Sequence, residues 1–76
     1  MTTNTATPTA RNISTDVAEC YAVELGSRLL GYASRRHDAP TFSLNLDNGV
    51  DLVAAPATIA DAVLYIAAAH LATAAR

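Results

Sequence analysis

Residues Pro56–Arg76 read PATIADAVLYIAAAHLATAAR, and what they need from the rest of the chain sets the expected fold. Two heptads, IADAVLY and IAAAHLA, lie back to back, so the stretch predicts one long helix. Ala60, Ala67 and Ala74 fall on one line of that helix. Ile59, Val63 and Ile66 flank the line on one side, and Leu64 and Leu71 on the other. A row of alanines between two apolar ridges lets another backbone come close. Thr58 with Asp61 matches the S/T-x-x-D/E pattern of an N-cap, and Pro56 suits the approach to the first turn. The opposite side, with Asp61, Tyr65, Thr73 and Arg76, is only partly polar. A helix apolar on so much of its surface needs cover that a short chain struggles to provide.

The chain has 76 residues, enough for one domain whose burial only just outweighs its conformational entropy. A single cysteine, Cys20, excludes an internal disulfide, and no Cys/His spacing suggests a structural metal. Association with another subunit is the remaining support. The apolar content of 51% against 16% charged residues points the same way. A homodimer is expected, with Ala60, Leu64, Ala67, Leu71 and Ala74, together with Val23 and Leu30, as its interface.

A net charge of −2 is too weak in either sign for a tight grip on nucleic acid or for mimicry of DNA. All five basic residues are arginine, and Lys, Gln and Trp are absent. With so much Ala and Thr, that composition fits a GC-rich bacterial, phage or mobile-element coding sequence and carries no functional weight. The N-terminus shows neither a basic region nor an apolar run of signal-peptide type, so a cytoplasmic location is expected. The last helix is long enough on paper to cross a bilayer. Alanine is near neutral for insertion, however, and Pro56, Thr58, Asp61 and His70 all oppose it.

Upstream, residues 1–12 (MTTNTATPTARN) have little to bury and read as a disordered tail, leaving 13–76 as the domain. Ser14-Thr15-Asp16 then offers an N-cap for a first long helix, DVAECYAVELGSRLLGYASRRH. Val17, Tyr21, Leu25, Leu29 and Tyr32 would form its apolar arc, and Val23 and Leu30 a second, thinner strip. Acidic residues gather in its first half and basic ones in its second, which complements the helix macrodipole. Gly26 and Gly31 each cost about 1 kcal/mol inside a helix and imply close packing or an early end.

Residues 41–54, TFSLNLDNGVDLVA, alternate as a β-hairpin. A two-residue Asn48-Gly49 turn would turn Asp51 onto the apolar face. A three-residue loop, Asp47-Asn48-Gly49, with Gly49 left-handed, instead pairs Leu46 with Val50 and Leu44 with Leu52 and keeps Phe42, Leu44, Leu46, Val50 and Leu52 inward. The expected fold class is therefore α+β, a small α-β-β-α domain of long helix, β-hairpin and Ala-rich helix behind a disordered tail.

No catalytic constellation emerges. Cys20 sits near Glu19 and Glu24, which disfavour a thiolate. The Asn45/Asp47/Asp51 spacing lacks the bidentate glutamate of a calcium loop. His70, alone among large apolar groups, reads more readily as a packed histidine than as a base. The chain is expected to be a non-enzymatic interaction protein without cofactor or metal, a small regulator or inhibitor that binds the surface of a partner protein. The alternative is a dimeric DNA-binding transcriptional regulator using Arg28, Arg35 and Arg36. The third reading is a ligand binder or enzyme with an interface pocket near His70 and Tyr65.

Overall fold

The computed structural model describes residues 7–74, and side-chain environments through Thr73. Five strands, β1 (Thr9–Asn12), β2 (Ala18–Leu25), β3 (Arg28–Arg36), β4 (Ser43–Leu46) and β5 (Asp51–Leu52), precede one helix, α1 (Ile59–Ala74). The strands form a single antiparallel sheet in chain order, β1-β2-β3-β4-β5. The α+β class stands, and the layout is a β-meander closed by a helix in place of α-β-β-α.

The largest departure lies at Asp16–His37, where the expected helix is the β2–β3 hairpin. Leu25 pairs with Arg28 around Gly26-Ser27. Gly26 has φ +63 while no non-glycine residue has positive φ, as a type II′ turn requires of its first central residue. Tyr21 pairs with Ala33 and Val23 with Gly31, so each pair shares one face. The register shifts between Val23 and Glu24, and Leu30 is the extra residue on β3. That bulge turns Leu30 into the core beside Val23, where both are fully buried. Ser14 and Thr15, read as helix caps, instead organise the β1–β2 connection. Ser14 Oγ accepts from Cys20 N (2.9 Å), and Thr15 Oγ1 accepts from Ala18 N (3.3 Å). Both are the local side-chain-to-backbone bonds that favour turns over helix.

Thr9–Asn12, expected to lie in a disordered tail, is instead a strand. It pairs with Tyr21–Glu24 at the edge of the sheet, hydrogen-bonded along one side to β2. Residues 1–6 of that tail lie outside the described residues.

The second hairpin follows its expected register. Leu44 pairs with Leu52, Leu46 N donates to Val50 O (2.8 Å), and Gly49 has φ +90. Phe42, Leu44 and Leu46 are buried and Leu52 packs on the core, whereas Val50 is exposed at the loop. The linker after β5 is tied back to the sheet: Phe42 N donates to Pro56 O (2.8 Å). Thr58 Oγ1 then accepts from Asp61 N (3.2 Å), the expected N-cap.

Helix α1 lies across one face of the sheet. Ala62 and Ile66 are fully buried, and Ile59, Val63, Ala67 and Ala69 pack on the same core. With Val23, Leu30, Ala33, Phe42, Leu44 and Leu46 they make the one described hydrophobic core. No helix among the described residues is long and apolar enough to cross a membrane.

Candidate interaction surface

Packing Ile59, Ala62 and Ile66 against the sheet fixes which side of α1 points outward. Spacings of three and four residues place Asp61, Leu64, Tyr65, Ala68, Leu71 and Ala72 opposite them. Leu64 is 66% exposed, Tyr65 51% and Leu71 72%. Asp61, Leu64, Tyr65 and Ala68 line an open groove of about 400 Å³, with Ala68 between the two large side chains and Asp61 one turn away. The remaining exposed large apolar side chains, Ile13, Val17, Val50 and Val53, sit in turns and connections. Scattered exposed side chains of that kind are ordinary; an apolar run along one helix face is the feature that calls for a partner.

The expected interface residues divide accordingly. Ala60, Leu64 and Leu71 are exposed on α1. Ala67 is half-buried against the core, and the side chain of Ala74 is outside the described residues. Val23 and Leu30 belong to the core and offer no free surface. The exposed small residue at the middle of the outer face is Ala68, one position beyond the expected alanine line. Taking Ile59, Ala62 and Ile66 as the buried spacing, instead of the alanine heptad, would have located it.

The three arginines do not converge. Arg28 and Arg36 stand at opposite ends of the nine-residue β3, roughly 26 Å apart at strand rise. Arg36 makes a loose, exposed contact with Asp38 (3.7 Å). Arg35 is the most engaged of the three. Its Nε donates to Glu19 Oε1 (2.9 Å), and its Nη1 donates to Ala57 O (3.2 Å) and Pro40 O (3.4 Å). Its guanidinium carbon lies 4.2 Å from the centre of the Phe42 ring. Arg35 therefore clamps the β3–β4 connection and the entry to α1 onto the sheet. Nor do His70 and Tyr65 meet in one pocket. Tyr65 is on the outer face, while His70 is half-buried between two clefts of about 210 Å³ each. Arg28, Asp47 and Asn48 line one, and Pro8, Leu25 and Leu30 the other.

Two charge pairs respond to pH. Hydrogen bonds from Arg35 and then Tyr21 hold the Glu19 carboxyl below its ordinary value of 4.5. A hydrogen bond from Arg11, bidentate with Glu24, does the same for Glu24. Tyr21, whose hydroxyl donates to Glu19 Oε2 (2.9 Å), is raised above 10.0 chiefly by that bond. A depressed carboxyl means the unfolded chain binds more protons, so its contribution is complete above the unfolded value and is lost as pH falls through the folded one. A raised tyrosine contributes below its unfolded value and loses that contribution as pH climbs through the folded one. Thermal melting is thus expected to be flat near neutrality and to fall below about pH 4.5 and above about pH 10. Glu19→Gln is expected to flatten the acid limb. Parallel acid limbs in variant and wild type would show that the Glu19 pair carries none of it.

No family model, curated protein or solved structure matches the chain.

Proposed function

We propose that this protein is a non-enzymatic interaction module, a small cytoplasmic regulator or inhibitor that acts by placing the outward face of α1 on a protein surface. The observation that carries the reading is the exposure of Leu64, Tyr65 and Leu71 along one face of a helix whose other face already completes the core. Tyr65 is the residue type from which binding hot spots are built, and Leu64 and Leu71 supply the apolar surround that would exclude water from it. Glu19 with Arg35 and Arg11 with Glu24 are paired with each other across neighbouring strands. That engagement supports a binding role over a chemical one.

The test is a Leu64→Glu/Leu71→Glu double variant. Both side chains are solvent-facing on the single chain, so the variant is expected to keep its fold, as read by circular dichroism. Association through this face, whether with a protein captured from extract of the native host or with a second copy of the chain, is expected to weaken at least about 100-fold, as loss of a central contact does. Ser43→Arg, on the exposed β4 position across the sheet from α1, is expected to leave capture unchanged. Equal capture by the double variant and wild type would rule out the α1 face.

A further inference from the structure

The outer face of α1 has the form of a self-complementary seam, and we propose that its occupant is α1 of a second copy, packed antiparallel about a two-fold axis beside Ala68. This rests on reading that face as an interaction surface and names what covers it. Asp61, Leu64, Tyr65 and Ala68 are spaced i, i+3, i+4, i+7, the four residues that surround one hole on a helix surface. The exposed side chain available to fill such a hole is Leu71, one heptad beyond Leu64 on the same face. In an antiparallel pair related by a two-fold near Ala68, Leu71 of each copy enters the groove of the other. Ala68 then meets its own copy at the axis, where a methyl group permits helix axes about 8 Å apart. The same residues supply knob and hole, which is the condition an isologous interface must satisfy.

Charge selects the antiparallel arrangement. Asp61 is the acidic residue of the first turn of α1, and among the described residues no basic one lies in its last turn. A parallel pair would bring the two Asp61 carboxylates together and align the two macrodipoles. The antiparallel pair sets the carboxylates roughly 20 Å apart at helical rise and opposes the dipoles. The contact buries the leucines while leaving Asp61 at its rim.

The full chain, of 7.9 kDa, is expected to sediment at micromolar concentration with twice that mass, and Leu64→Glu/Leu71→Glu to sediment as a folded monomer. Orientation is read by cysteine pairing in a Cys20→Ser background. Under mild oxidation Ala68→Cys is expected to form a disulfide-linked dimer in high yield, and Asp61→Cys almost none. Equal cross-linking at both positions would overturn the antiparallel seam. A wild-type chain that sediments as a folded monomer would overturn the dimer altogether. If that monomer still captures a host protein and loses it in the double variant, only the identity of the occupant is wrong. If capture is absent too, the interaction reading fails with it.

Discussion

Phe42→Ala is expected to remove a large share of the stability of this chain. The Phe42 ring is 2% exposed and among the largest fully buried side chains. It sits edge-on to Tyr21, with centroids 6.0 Å apart at 63°, and beneath the Arg35 guanidinium. Its backbone N–H holds Pro56 O, which positions the linker into α1. The truncation therefore empties a site where strand, clamp and helix entry meet. Phe→Ala changes in cores cost about 3–5 kcal/mol. A domain of this length has roughly 4–11 kcal/mol in total. Urea unfolding followed by circular dichroism checks this directly. Phe42→Leu, which refills much of the volume, is expected to cost about 1–2 kcal/mol, in the range of conservative core replacements. A loss below about 1 kcal/mol for Phe42→Ala would contradict the packing described.

Gly31→Ala is expected to cost about 2–3 kcal/mol, as overpacking does in a closed interior. The position lies in the middle of the sheet, opposite Val23 on β2 and Leu46 on β4. A Cβ there would fall on the Asn45 carbonyl oxygen and 3.1 Å from Leu46 Cα. These are backbone atoms of a paired strand, so relief requires β3 and β4 to part. Gly26 and Gly49 provide the comparison. Added methyl groups there meet open space, but both residues have positive φ, at +63 and +90. Alanine at either is expected to cost about 1–2 kcal/mol through backbone conformation alone. The ranking, with Gly31 worst, is measured by denaturant midpoints of the three variants. Gly31→Ala as mild as the turn variants would show that β3 and β4 are not as close as described.

The parts of the fold that were legible satisfied only one periodicity. Phe42, Leu44 and Leu46 alternate with polar residues, and Asp51 decides the loop length by excluding the shorter turn. Ile59, Val63 and Ile66 fit a helix and no strand. Asp16–His37 is different because Tyr21, Leu25 and Leu29 are spaced by four, which suits a helical face and also keeps the parity of a strand. Its Ala, Glu, Leu and Arg content favours helix locally. Non-local pairing decided the outcome, since β2 and β3 occupy the centre of the sheet and bury Val23, Leu30 and Ala33. The available clue was Gly26-Ser27 between two apolar runs, a turn pair that a helix carries only at a cost. The same misreading moved Val23 and Leu30 from the core to a supposed interface. Arg35, placed in a cationic patch from spacing alone, proved to be a clamp because its strand faces Phe42 and the start of α1.

The central claim is that association covers the outward face of α1 and leaves the opposite face of the sheet open. Methyl- and amide-resolved nuclear magnetic resonance of the intact chain across a dilution series tests it most directly. The Leu64 and Leu71 methyl signals are expected to shift with concentration together with Ala68, while the amide signal of Ser43, exposed on the opposite side of the sheet, stays fixed. Concentration-dependent shifts confined to the sheet, or none at Leu64 and Leu71 up to millimolar protein, would contradict it.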